Sequence, residues 1–285
     1  MFTQREMAQL RRLELMAAKM KRGVLQGERE VSRSGPGTSF REHRAYNEGD
    51  ALRMVDWNVY ARMDTLVVKE FDAEEALDIV LVQDCSESMR GASAACAAKV
   101  TAALGVVGLS GFDRVAWAPA GGSGTQRPQT FTGRGRMMDL LEAVSKESGG
   151  GTDLFGALRA AVPRESQGGV AFVISDFFDP KSGTRALSYL QSKRYQLRAI
   201  LIEDAEALKP PEPGRTRLID SETGETLVLE ITPEVIDAYA KAREARVQSM
   251  QAFCKRSGAG FLRVRAQAPF FEVVNTAIRR GWLIP

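Results

Sequence analysis

The residues best suited to chemistry are Asp84, Ser86 and Ser88 in the run DCSES, Thr152 in GGGTDL, and Asp176 in ISD. Their chemistry is that of a hard-cation site. Mg²⁺ takes six oxygens in near-octahedral geometry and keeps several of its waters. Two hydroxyls two residues apart, at the turn after a strand, can face one ion, and Thr152 on a separate Gly-rich loop adds a third. Asp84 and Asp176 supply negative charge, through water or by accepting hydrogen bonds from the ligating hydroxyls. Such a set leaves a coordination position open, and the carboxylate of a partner protein is its natural occupant. Small hydroxyl ligands lean away from Ca²⁺, which leaves Mg²⁺, with Mn²⁺ as the second candidate.

The surrounding sequence must place these residues together. Apolar runs at 77–84, 114–119, 169–176 and 195–204 read as buried strands, with a shorter one at 260–265. Helical patterns lie between them, at about 91–109, 134–147, 152–162, 181–193, 233–256 and 268–280. Alternating strands and helices predict an α/β fold, a doubly wound and mostly parallel sheet with helices on both faces. Ligands of such sheets bind outside the carboxyl ends of the strands, where Asp84 and Asp176 stand. The segment RLIDSETGETLVLE, near 215–231, reads as a β-hairpin added at the sheet margin.

Before position 76 the texture differs. Met7, Leu10, Leu13, Met16 and Met20 recur at helical spacing, predicting a helix over residues 1–22 that Gly23 stops. Packing on the main domain suits its mixed charges better than a membrane surface. Residues 32–39, SRSGPGTS, read as a loop, and 66–71 as a strand. The expected organisation is an N-terminal helix and charged extension, 1–75, packed on a main domain, 76–285.

DCSES, the Gly-Thr loop and the strand-end ISD together resemble the metal-ion-dependent adhesion site (MIDAS) of von Willebrand factor A domains, a Rossmann-like fold. The resemblance implies that Ser86 and Ser88 are direct ligands, Thr152 a third, direct or through water, and Asp84 and Asp176 mainly water-mediated ones. A second resemblance covers almost the whole chain. The stretch SGPGTSFREHRAYNEGDALRMVDWNVYARMDTLVVKEF, with Arg44, Tyr46, Gly49, Asp50, Arg53, Asp56, Trp57, Ala61 and Arg62, is similar to the domain-of-unknown-function family fifty-eight. So are the later ISDFFDP and IDSETGE. That family often carries membrane helices before this region, which this chain lacks. It is associated with MoxR-type AAA+ ATPases. The resemblance therefore implies a bacterial, chaperone-like adaptor that binds such an ATPase and a client protein, without naming the client.

Bulk properties exclude other classes. In 285 residues, Lys and Arg total 39 against 36 Asp and Glu, and a net charge of +3 does not argue for nucleic acid. No apolar run reaches the roughly 18 residues of a membrane span, and no signal peptide is visible. Cys85, Cys96 and Cys254 form no CxxC pair, which points to a reducing cytoplasm.

Several residues have a structural reading beside the functional one. Arg44, Arg53 and Arg62 suit pairing with Asp50 and Asp56 under Trp57, more than a second binding surface. His43, the only histidine, has no partner Cys or His nearby, and Cys85 alternates inward. Asp153 suits the start of a helix. Phe177 and Phe178 fit an apolar rim or the core equally well. The competing activity is Mg²⁺-dependent phosphoryl transfer with Asp84 as nucleophile. Ser86 stands where a haloacid-dehalogenase-like phosphatase needs a second Asp. No Walker A motif is present, and no GxSxG elbow with a placed His. Metal-dependent protein binding without catalysis is the expectation.

Overall fold

The computed structural model describes residues 2–26, 34–47, 50, 54–72, 76–121, 127–145, 153–163, 168–178, 180–206, 209–210, 212–219 and 224–283. The chain divides into two compact units, one of Met1–Lys21 with Leu77–Pro285 and one of Arg22–Ala76.

A helix α1, Gln4–Gln26, comes first in the chain, and its residues up to Lys21 belong to the first unit. The strands β3 (Asp78–Asp84), β4 (Arg114–Ala120), β5 (Gln129–Thr132), β6 (Gly169–Ser175), β7 (Tyr195–Glu203) and β10 (Gly260–Arg265) form one six-stranded sheet. Its order is β10-β7-β6-β3-β4-β5. All neighbours are parallel except β5, which runs antiparallel to β4. The helices are α3 (Ala92–Ser110), α4 (Met137–Ser145), α5 (Leu154–Ala161), α6 (Pro180–Ser192), α7 (Pro233–Arg256) and α8 (Phe270–Arg279). The fold is mixed α/β around a mostly parallel sheet, as the alternating runs predict.

Both faces of that sheet are covered. On β3, Ile79 and Leu81 join a core with Trp117, Phe172, Leu104 of α3 and Val274 of α8. The alternate residues Val80 and Val82 join a second core with Leu158 of α5, Leu187 of α6 and Met250 of α7. A strand sandwiched this way has no use for polar alternation, which explains its continuous apolar run. The chain leaves β3 for β4 on one side, then returns to place β6 on the other. The carboxyl ends of β3 and β6 therefore open a crevice at the point where the strand order reverses.

Several expectations need correction. Gly23 does not stop α1, which continues to Gln26. A helical glycine costs about 1 kcal/mol relative to alanine but ends a helix only in a left-handed cap. The hairpin forms, as β8 (Gly214–Ile219) against β9 (Thr226–Ile231), but as its own two-stranded sheet and not on the margin of the central one. Its turn residues 220–223 lie outside the described residues. The antiparallel β5, too short for a periodic signal, was not expected. Finally, α3 does meet the length and composition of a membrane span, although most of it is buried in this fold. A core helix between a sheet and two other helices needs the same all-round apolar surface.

Leu10, Leu13 and Ala17 of α1 are buried in the same core as α3 and α8. Glu6 pairs with Lys99 of α3 at 2.6 Å, and the Ser110 hydroxyl donates to Glu14 at 3.1 Å. The Lys99 ammonium holds the Glu6 carboxyl at about 2, well below its ordinary value.

In the second unit, β1 (Ser34–Ala45) pairs antiparallel with β2 (Val67–Asp72), and α2 (Trp57–Met63) lies between them in sequence. The loop expected at 32–39 is largely strand. Its register shifts between Ser34 and Ser39, both opposite Asp72, so an irregularity absorbs the Gly-Pro-Gly that would break a regular ladder. The charged network is partly as expected. Arg44 forks Asp50 at 2.9 and 3.0 Å, holding that carboxyl below its ordinary range. Asp56 instead meets His43 Nε2 at 3.0 Å and caps α2 by accepting from the Asn58 and Val59 N–H groups. Trp57 does not cover the network; it is 55% exposed. Arg53 lies outside the described residues.

Candidate metal centre

The crevice between β3 and β6 brings four of the five sequence-predicted residues to one end of the sheet. β3 ends at Asp84, and a short turn carries Ser86 and Ser88 before α3. β6 ends at Ser175, with Asp176 next. Thr152 lies outside the described residues, but Asp153, its neighbour, caps α5 by accepting from the Gly156 N–H at 2.7 Å. The capping carboxylate sits where a Gly156 side chain would be, 2.0 Å from an ideal Cβ.

Asp84 is 2% exposed and both of its oxygens are engaged. Oδ1 accepts the Ser86 N–H at 3.0 Å and Oδ2 accepts the Ser175 hydroxyl at 2.6 Å. Burial nevertheless pushes the carboxyl up to about 6, more than the hydrogen bonds from Ser175 and Ser86 bring it down, and the Asp176 charge pushes the same way. A buried carboxylate short of positive charge is a group that a cation would return to its ionised form. Ser86 is also buried, at 2% exposure, although a direct ligand of an ion open to a partner suits a place near solvent.

The two serine hydroxyls lie 3.0 Å apart. Adjacent oxygens around an octahedral Mg²⁺ with bonds near 2.1 Å are separated by about 3.0 Å. The donor set is hydroxyl and carboxylate oxygen throughout, so the residues present fit a hard divalent cation. Among the described residues no cluster of three or more His, Cys, Asp or Glu offers a rival metal site.

Three supporting features escaped sequence reasoning. Ser175 links the two strands and also accepts the Phe177 N–H at 2.8 Å. A hydroxyl inside an otherwise apolar buried strand was the available signal, since a buried polar group needs partners. Gly121, after β4, has φ +147° and lies so close to the motif turn that a Cβ would meet the Cys85 carbonyl at 2.9 Å. The Cys85 N–H donates to Ala120 O at 2.8 Å, so β4 braces the turn from the other side. Gln83 accepts from Trp117 Nε1 at 3.2 Å beneath it. The Phe177/Phe178 alternative resolves into both readings. Phe177, at φ 49°, is buried in the core, whereas Phe178 is 65% exposed, its N–H donating to Asp176 Oδ1. Cys85 is buried and its thiol faces the Gln83 carbonyl.

A family model described as "Protein of unknown function DUF58" matches residues 42–249. The chain is 30% identical to the uncharacterized protein Rv1480 of Mycobacterium tuberculosis over 97% of its length and 90% of that protein's. The same figures hold for the uncharacterized protein Mb1516 of Mycobacterium bovis. Among solved structures it is similar to an aerotolerance-related membrane protein from Bacteroides fragilis, at 16% identity and a TM-score of 0.44, over 72% of this chain and 100% of that one. A conserved hypothetical protein, BatB from Bacteroides thetaiotaomicron, follows at 15% identity and a TM-score of 0.40, over 72% and 98%.

Proposed function

The chain belongs to the DUF58 family, and from that premise we propose that its larger unit is a von Willebrand factor A-type domain that binds Mg²⁺ and, through it, an acidic side chain of a partner protein. The observation that carries this reading is the 3.0 Å pair of Ser86 and Ser88 hydroxyls set above the buried Asp84. Ser86 and Ser88 would hold the ion directly, Thr152 would add a third hydroxyl, and Asp84 and Asp176 would act through bound water. When bound, the ion supplies a Lewis-acidic position for a carboxylate oxygen. The rest falls to the chain. Ser175 and the Ser86 N–H orient Asp84, and β4 holds the turn against recoil.

The arrangement favours binding over phosphoryl transfer. A nucleophilic Asp84 would have to present an oxygen in line with a substrate phosphorus, and Asp84 is 2% exposed with one hydrogen bond on each oxygen; the lone pairs that remain suit a water of the ion better than an attacking role. We further propose a cytoplasmic adaptor role beside a MoxR-type AAA+ ATPase that acts on a client protein; this rests on the family resemblance alone.

The test is calorimetric titration of the full chain with Mg²⁺, followed by capture of a co-expressed MoxR-type ATPase with and without EDTA. One bound ion per chain, lost in Ser86→Ala/Ser88→Ala, and capture abolished by EDTA are expected. Equal Mg²⁺ affinity in the double variant would sink the reading.

A further inference from the structure

Two segments beside the candidate site share a pattern that the metal reading does not use. Asp153 and Asp176 are each followed, two residues on, by a phenylalanine, Phe155 and Phe178. Each ring carries a guanidinium from a later helix. Arg185 of α6 lies 4.3 Å from the Phe155 centroid, and Arg246 of α7 lies 4.8 Å from that of Phe178. Phe155 is braced edge-on by Tyr189 at 5.6 Å. Phe178 is exposed, as is Arg185, and Arg246 is half-buried.

An aromatic face positions a guanidinium without neutralising it, because the ring offers a quadrupole and not a counter-charge. The planar fork then remains free to take a carboxylate by two parallel hydrogen bonds. These cations also offset the repulsion that Asp84, Asp153 and Asp176 exert on an incoming anion. We propose that the two Arg–Phe pairs are a specificity rim that selects a partner segment rich in acidic side chains, with further carboxylates on Arg185 and Arg246 beside the one at the metal. Only the carboxylate at the metal rests on the metal-dependent reading given above.

The test uses the full chain and two fluorescein-labelled peptides, a hexaglutamate and a hexamer of glutamine carrying a single glutamate, with binding followed by anisotropy in Mg²⁺ and in EDTA. Wild type is expected to prefer the hexaglutamate. Arg185→Gln/Arg246→Gln should lose about tenfold of that affinity, the scale of two partly exposed ion pairs together, with its affinity for Mg²⁺ unchanged. Arg215→Gln/Arg217→Gln, which makes the same change of net charge on the exposed β8, should bind as wild type, and Arg185→Lys/Arg246→Lys should retain part of the preference. Equal binding by the glutamine double variant, an equal loss in the β8 control, or no preference in wild type each overturns the proposal. If EDTA leaves hexaglutamate binding intact while the Arg185/Arg246 variant still loses it, the metal reading fails and the rim stands.

Discussion

The Ser175 hydroxyl donates to Asp84 Oδ2 at 2.6 Å, joining the ends of two parallel strands that are 91 residues apart in sequence. Ser175 Oγ also accepts the Phe177 N–H, so the path from β6 into the Asp176 turn and the carboxylate that ends β3 are fixed by one side chain. We expect Ser175→Ala to cost about 2 kcal/mol in urea unfolding with EDTA present, the scale of a hydrogen bond to a charged group. It should also weaken Mg²⁺ binding, since Asp84 would lose its orientation. A variant as stable as wild type would mean that water replaces the hydroxyl without loss.

The double variant Ser86→Ala/Ser88→Ala should stay folded and lose metal-dependent partner binding. Alanine keeps the turn but removes the two hydroxyls proposed to hold the ion. A partner carboxylate would then face Asp84 and Asp176 without compensation. The loss should match the effect of EDTA on wild type, and EDTA should change nothing further in the variant. Wild-type binding by the variant in Mg²⁺ would remove the metal site from the account of binding.

Asp56, outside the metal motif, should nonetheless matter to stability. It caps α2 and meets His43, and it is 7% exposed. Loss of a cap costs about 1 kcal/mol, and loss of the His43 contact adds to it. Asp56→Ala should therefore lower the melting temperature more than Asp56→Asn, which keeps a capping oxygen. It should also exceed Ser86→Ala, with all three compared in EDTA; the reverse order would contradict the capping role.

Leu13 of α1 is fully buried. Leu13→Ala should cost about 3 kcal/mol, within the range for a buried leucine. A fragment of residues 76–285 lacks α1 and exposes the core that Leu10 and Leu13 fill, so it should melt earlier or aggregate. An unchanged melting midpoint for that fragment would show that α1 contributes nothing to the fold.

Acid should loosen the same helix. Glu6 is held at about 2 against an ordinary 4.5, chiefly by Lys99. Its folded value lies below its unfolded one, so its contribution is complete above pH 4.5 and is lost as pH falls from there through 2. The pair is partly solvated, so the effect is on the order of 1 kcal/mol after screening. Melting curves of wild type and Glu6→Gln should differ at pH 6 and converge near pH 2. Parallel curves across that range would deny the Glu6–Lys99 pair a role.

Local pattern carried much of this molecule. The runs DIVLVQD and GVAFVIS are apolar on both faces because both faces are covered, and that is readable without coordinates. The helix α3 announces itself by a long apolar, Ala-rich run and α4, α5, α6 and α8 by apolar periodicity, and Asp84, Ser86, Ser88 and Asp176 by type, spacing and position at strand ends. What local pattern does not encode is which distant segment becomes a neighbour. Only the tertiary structure decided that Ser175 would reach Asp84, that Gly121 would press on Cys85, and that β8 and β9 would pair apart from the central sheet. Arg246 settled over Phe178 in the same way, from a helix 68 positions along the chain. Periodicity is a property of a few consecutive turns or pleats, whereas these contacts depend on strand order and packing, which many segments set together.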